Sequence, residues 1–287
     1  NVIFLLFSVY LIRLKLGIWP YFFVIASAGV LYSFQLLQLA PITTFLLSYA
    51  LLFSRKQPLL SGLALSVLTI KPQYGLLVPV FLIASKDWRA FWVAAFASSA
   101  LMLISIALYG APVWQAFISS MTGGVHSIQF EVAHNIMITV GQSLGKLGVV
   151  TEWRAAAQLM IIPICAVFVW YSAKNWCREG AVALSLLAMA LAAPSFIFYD
   201  WLIYAMAVLL MIKVVPKWTL SLQVFAALLW IAPVMHDVIY QYDKTVAFYF
   251  SSFMPVLAVS VMVLAVRSFR RQGIETDKPS YGAQVFS

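Results

Sequence analysis

The stretch Pro58-Leu59-Leu60-Ser61-Gly62-Leu63-Ala64-Leu65-Ser66-Val67-Leu68-Thr69-Ile70-Lys71-Pro72-Gln73-Tyr74-Gly75-Leu76-Leu77-Val78-Pro79-Val80-Phe81-Leu82-Ile83-Ala84-Ser85 decides how this chain folds. It is apolar almost throughout, yet a lysine and a proline sit at its centre. Residues 59–70 and 73–85 each supply about 12 residues, which at ~1.5 Å per residue reach ~18 Å, well short of a ~30 Å hydrocarbon core. Pro72 removes a backbone donor and disfavours helical geometry at Lys71, so two separate half-helices joined in a hairpin are predicted. Irregular backbone at membrane depth is tolerated only against protein or a wet cavity. The tip at Lys71 is therefore expected to line a cavity.

The rest of the chain agrees with a membrane setting. Of its 287 residues 64% are apolar and 9% charged, against roughly 45–50% and about 25% in soluble domains. Apolar runs such as 92–109 and 246–266 approach the ~20 residues a spanning helix needs. The expected fold class is all-α: a polytopic integral membrane protein with a long loop at residues 110–152. The net charge is +9, but the basic residues lie in short pairs between apolar runs and form no face that tracks a phosphate backbone. Nucleic-acid binding is not expected. Cys165 and Cys177 cannot build a multi-bridge framework and match no metal-ligand spacing. The chain opens at Asn1 inside an apolar run, with no charged leader, and is read as lacking its true N-terminus.

Lys and Arg gather on the cytoplasmic side of membrane proteins, which orients the helices. Arg267, Arg270 and Arg271 follow the last apolar run and place the polar tail, residues 272–287, in the cytoplasm. Arg13 with Lys15, Arg55 with Lys56, Lys86 with Arg89, Lys174 with Arg178, and Lys213 with Lys217 should lie on that same side. Residues 35–41, the Lys71-Pro72-Gln73 turn, 110–152, 194–200 and 236–244 alternate with them and are expected outside. A turn is required near Gln35, Gln38 and Pro41. No linker or repeat divides the chain, so residues 1–271 are read as one transmembrane domain.

The outer side then collects Gln38, Lys71, Gln73, His126, Glu131, His134, Asn135, Tyr199, Asp200, His236, Asp237 and Asp243. Lys71 could merely stretch its amine to the headgroups. It stands, however, on the side that should be poor in lysine, and an intramembrane ionisable residue is a functional candidate suited to holding a lipid-linked phosphate. Gln73 and Gln38 are candidate hydrogen-bond donors beside it. Asp200 either caps a helix beginning near Trp201, or binds sugar hydroxyls, or orients Lys71 or a histidine. Glu131 and His134 are three apart and share a helical face, but no third ligand has a recognisable spacing, so no metal site is assigned. His126 and His134 are read as loop residues bonded to neighbours or to ligand hydroxyls. The segment beginning at Ala111, with Trp114, Phe117, Ile118 and Met121 at helical spacing, resembles a helix lying in the interface. The aromatic loop at His236, Tyr240 and Tyr242 is assigned to the interfacial belt in preference to sugar stacking. No P-loop, dinucleotide fingerprint or nucleophile elbow is present.

The run Pro58 to Leu77 with its Lys71-Pro72-Gln73 turn, followed by Lys86-Asp87-Trp88-Arg89-Ala90, resembles the bacterial polyprenyl-phosphate-mannose-dependent mannosyltransferases of glycosyltransferase family 87, in the GT-C superfamily. Phe198-Tyr199-Asp200 is similar to the family's aromatic-Tyr-Asp segment, and Ser143-Leu144-Gly145-Lys146-Leu147-Gly148 to the end of its main outer loop. At the turn where the family often shows Gly-Gln-Asn-Gly, this chain has Leu37-Gln38-Leu39-Ala40. The resemblance implies a GT-C-like bundle in a bacterial inner or plasma membrane. It implies transfer of a hexose, mannose in the family, from a polyprenyl phosphate donor to a lipid or glycan acceptor outside the cytoplasm, with no cofactor. Lys71, Gln73 and Gln38 would hold the donor phosphate, and Tyr199, Asp200, His126, His134 and Asn135 the sugar or acceptor. The superfamily's catalytic acid lies in the first outer loop, which is expected upstream of Asn1, so no catalytic role falls on a residue present. Two other readings stay open: a transporter or flippase of a lipid-linked or anionic solute, and a non-catalytic partner in cell-envelope assembly.

Overall fold

A computed structural model describes residues 27–123, 137–215 and 217–273. The helices in chain order are α1 (Ala28–Gln35), α2 (Ala40–Phe53), α3 (Pro58–Val67), α4 (Pro72–Gly75), α5 (Val78–Ala84), α6 (Trp88–Tyr109), α7 (Ala111–Gly123), α8 (Val140–Lys146), α9 (Thr151–Asn175), α10 (Arg178–Ala192), α11 (Leu202–Val214), α12 (Leu220–Tyr242), α13 (Lys244–Ser252) and α14 (Met254–Gln272). Among the described residues the β-type pairing is one isolated antiparallel bridge, Met137 to Ile197. Four helical stretches are long and apolar enough to cross a membrane: Trp88–Tyr109, Thr151–Asn175, Leu220–Tyr242 and Lys244–Gln272. The chain is an all-α polytopic membrane protein.

Its centre is the pair α10 and α11, apolar on every side and buried along nearly their whole lengths, as a helix without a polar face must be. α10 is rich in small residues, among them Gly180, Ala181, Ala183, Ser185, Ala188 and Ala190. Small side chains let backbones approach where no hydrophobic force drives helices together in lipid. α9, α2 and α14 pack around this pair. At the periphery α6 packs mainly on α3 and shows Trp92, Phe96, Leu103 and Leu108 to the outside, the surface expected of a helix bathed in lipid. A Cβ at Gly62 of α3 would stand 2.5 Å from the Val93 side chain and 2.9 Å from the Ala94 nitrogen, so these two helices meet only because that side chain is absent.

The hairpin of short arms breaks where the sequence predicts. After α3 the chain tightens into a 3₁₀ turn, Leu68–Ile70, and Lys71 leaves the helix with φ −133° and ψ 75°. Pro72 then opens α4, a position where its missing N–H costs nothing. The second arm departs from the single element expected over residues 73–85. It divides at Leu76 and Leu77 into α4 and α5, because Pro79 starts a fresh helix and cannot continue the old one. The expected turn near Gln35 to Pro41 lies between α1 and α2. The apolar run 246–266 is likewise two helices, divided at Phe253 ahead of Pro255. Gln272, where a polar tail is expected to start, belongs to α14, and Gly273 closes that helix in the left-handed conformation, φ 62°; residues 274–287 lie outside the described residues.

The turns expected to be basic converge on one end of the bundle. Asp87, its side chain 1% exposed, receives Arg55 Nε at 3.0 Å and Arg178 at 2.8 Å. Ser54 Oγ donates to the same carboxylate at 2.5 Å and accepts from Arg178. Lys213 pairs with Glu179 at 3.0 Å, and Gln272 donates to the Lys217 carbonyl at 2.6 Å. Lys71 and Asp200 lie together at the opposite end. Asp87 thus ties the α2, α5 and α10 termini through one buried charge, and removing it strands Arg178. Replacing Asp87 by Ala should cost about 3–5 kcal/mol in denaturant unfolding of the detergent-solubilised protein, and adding Arg178→Met should recover part of the loss.

Candidate functional site at the helix break

Pro72 is the reason Lys71 is available: its backbone ends one short helix and begins the next, so its side chain is not stacked on either. The amine meets Asp200 Oδ1 at 2.7 Å, with the lysine side chain 13% and the aspartate 3% exposed. It also lies 4.8 Å from the centre of the Tyr199 ring and 5.7 Å from that of Tyr74, within the range of cation–π attraction. Three residues separated by up to 129 positions in sequence therefore surround one ammonium.

Asp200 sits in a 3₁₀ turn, Phe198–Trp201, that links α10 to α11. The alternative that it caps the helix after it does not hold. α11 begins at Leu202 with no side-chain cap, and the carboxylate turns back to accept the Ile197 N–H through Oδ2 at 3.4 Å. Burial pushes the Asp200 carboxyl up from its ordinary range, opposed by the Lys71 ammonium and the nearby Tyr74 hydroxyl. That hydroxyl is itself fully buried and has no hydrogen-bond partner other than the Asp200 carboxylate it approaches.

The turn is held from several sides. Ser33 of α1 donates to the Tyr199 carbonyl at 3.3 Å, and Trp201 Nε1 donates to the Leu229 carbonyl of α12 at 2.6 Å. α1 approaches so closely that a Cβ at Gly29 would lie 2.5 Å from the Leu202 nitrogen. The segment after residue 136 pairs with the turn through Ile138 N–H to the Phe196 carbonyl at 2.9 Å. Gln158 of α9 accepts the Gly141 N–H at 3.0 Å and donates to the Ala193 carbonyl at 3.2 Å, so the starts of α8 and of the Asp200 segment are fixed to each other.

Of the residues singled out from sequence, Lys71, Tyr199 and Asp200 are brought together. Gln73 is half-buried two positions beyond Lys71 in α4. Gln38 is in the α1–α2 turn and donates to the Leu36 carbonyl at 3.3 Å. His126, Glu131, His134 and Asn135 lie outside the described residues. Among the described residues no group of three His, Cys, Asp or Glu side chains could hold a metal ion. Two neighbours carry more than the sequence reading gave them. Tyr74 stands one helical turn after Lys71, a spacing that would have pointed to it. His236, assigned to the interfacial belt, packs its ring on Phe198 at 4.5 Å and approaches Asp237 at 3.4 Å, so it adjoins the Asp200 turn.

The model of glycosyltransferase family 87 matches residues 1–199, a span that includes the Lys71 break and reaches Tyr199. The chain belongs to glycosyltransferase family 87. No curated protein and no solved structure matches it. As a family 87 protein with spanning helices it is a membrane glycosyltransferase, acting on a sugar donor and an acceptor, in contact with membrane lipid.

The ion pair of this family 87 chain should behave as a unit. Asp200→Ala leaves a largely buried ammonium without its partner and should cost about 3–5 kcal/mol. The double variant Lys71→Met with Asp200→Asn removes both charges and should lie nearer wild type than Asp200→Ala does, a difference that a double-mutant cycle on denaturant midpoints reads directly.

Proposed function

We propose that this family 87 protein transfers a hexose, mannose, from a polyprenyl phosphate donor to a lipid or glycan acceptor at the extracytoplasmic face of a bacterial cell membrane. The observation that supports it most is the Lys71–Asp200 pair at the tip of two helices too short to cross, flanked by the rings of Tyr74 and Tyr199. A cation buried at such a break suits an anion delivered by a lipid carrier.

In such a transfer the bond between the sugar's anomeric carbon and the phosphate oxygen breaks, and the polyprenyl phosphate leaves with the electron pair. The acceptor hydroxyl oxygen forms the new bond to the anomeric carbon, and its proton passes to a base. Charge grows on the leaving phosphate, so a fixed donor aimed at it lowers the barrier. Lys71 would supply that donor. Asp200 holds the amine in place with one of its three N–H groups, leaving two for phosphate oxygens, and Gln73 and Gln38 would add neutral donors. Tyr199, Asp200, His126, His134 and Asn135 would bind the sugar or the acceptor. The base is assigned to none of the described residues.

Orientation follows from charge. Arg55, Lys56, Lys86, Arg89, Lys174, Arg178, Lys213, Lys217 and Arg270 belong to the end opposite Lys71, and the bias of basic residues toward the cytoplasm favours the outward face for the site. Residues 1–271 would act as one transmembrane unit and the residues beyond them as a cytoplasmic tail.

The test is transfer of labelled sugar from polyprenyl-phosphate-linked mannose to endogenous acceptors in membranes that express the chain. Wild type should transfer. The double variant Lys71→Met with Asp200→Asn should fall by roughly 10²-fold or more, the size of losing one donor to a developing anion, while still folding. Wild-type rates in that variant would remove Lys71 from the mechanism.

A further inference from the structure

A second lysine at the same end of the bundle differs from Lys71 in one decisive respect. Lys146, the last residue of α8, is 4% exposed. Its amine donates to the Met137 carbonyl at 3.0 Å and to Ser251 Oγ of α13 at 2.7 Å, and lies 5.5 Å from the centre of the Phe248 ring. Both hydrogen-bond acceptors are neutral. Among the described residues no carboxylate lies within ion-pairing distance, and burial alone draws the amine down to about 8.

The neighbouring charges are spoken for. On α9, Glu152 is exposed and Arg154 donates to Gln142 Oε1 at 2.7 Å. On α13, Lys244 lies over the Tyr240 ring and Tyr249 is exposed. Asp243 caps the first turn of α13 through Thr245 and Val246, and Asp237 is half-exposed beside His236, whose ring feels the Lys146 charge. On α14 the titratable groups, Arg267, Arg270 and Arg271, occupy the far end. Among the described residues three charged side chains are thus buried or nearly so at this end, and two of them, Lys71 and Asp200, cancel.

Lys146 is also joined to the candidate site. It holds Met137, Met137 bridges Ile197, and the Ile197 N–H bonds Asp200. Two neutral acceptors ask only for two donors, which an uncharged side chain could supply. Keeping a buried ammonium that has no counter-charge among the described residues is costly, and the return is a field felt more strongly in a medium of low dielectric.

We propose that Lys146 is a positioning residue that supplies the uncompensated positive charge drawing the donor's phosphate to the neutral Lys71–Asp200 pair, acting through its field and not by contact. The inference rests on the glycosyl-transfer reading above. Lys71 orients the phosphate at close range, whereas Lys146 governs how strongly the anion is attracted.

The experiment uses the full chain in lipid nanodiscs and measures kcat and KM for polyprenyl-phosphate-linked mannose, with the affinity for free polyprenyl phosphate as a second readout. Lys146→Gln keeps hydrogen-bond donors and loses the charge. It should raise KM and weaken polyprenyl phosphate binding by ~10-fold, with kcat little changed. Lys146→Arg should restore both. The wild-type KM should climb as pH rises through about 8, because deprotonation removes the charge while two N–H groups remain, and Lys146→Arg should lack that climb. If Lys146→Gln matches wild type in KM and binding, or if the arginine variant fails while retaining the wild-type melting temperature, the proposal is overturned and the transferase reading stands. If wild type neither transfers sugar nor binds polyprenyl phosphate, the transferase reading falls and takes the proposal with it.

Discussion

A buried ion pair between Lys71 and Asp200 is the constraint around which this end of the molecule is arranged. Two charges taken out of water repay their desolvation only if the geometry is close and the remaining polar groups are satisfied. The 2.7 Å separation, the Ile197 N–H on the second carboxylate oxygen and the two flanking rings meet that condition. Each requires something elsewhere. Pro72 must release Lys71 from helical geometry, the link between α10 and α11 must be a tight turn and not a continued helix, and α1 must pass close enough for Ser33 to hold that turn, which Gly29 alone among side chains permits.

The opposite end uses the same device for a different purpose. Asp87 binds two arginines and a serine at the termini of α2, α5 and α10, where the Ser85 hydroxyl and Arg178 Nε are also buried without a hydrogen-bond partner. One buried carboxylate fastens helices together. The other holds a cation at the edge of a break, beside the Tyr74 and Tyr199 rings. Burial does not separate the two, since both aspartates are almost completely enclosed; the place of Lys71 at a helix break does.

Much of the fold was legible because it depends on local or one-dimensional signals. The Lys71-Pro72 break, the length of the arms and the alternation of basic with non-basic turns need only residue type and spacing, and the ends of the bundle sort Arg55, Asp87 and Arg178 from Lys71 and Asp200 as that alternation requires. The second break at Leu76 escaped notice, although Pro79 marks it, because an apolar run of about 12 residues reads equally well as one helix or two. The site was less legible. In sequence Asp200 is open to capping a helix, binding sugar hydroxyls, or orienting Lys71 or a histidine, and its ion pair with Lys71 depends on packing across 129 residues. Lys146 stands out in sequence for its motif and not for its charge, because having no counter-ion among the described residues is a property of three-dimensional surroundings. His236 looked like an interfacial aromatic, and its stacking on Phe198 depends on where α12 crosses.

Membership of family 87 fits the proposal that the cation at the helix break receives a phosphate carried on an oily chain. The most direct test of that correspondence is a structure of the protein with polyprenyl phosphate bound. The phosphate should lie at the helix break, with an oxygen ~2.8 Å from the Lys71 amine, the distance of a charge-assisted hydrogen bond. A phosphate bound at the Asp87 end, or held away from Lys71 with the Lys71–Asp200 pair untouched, would contradict the account.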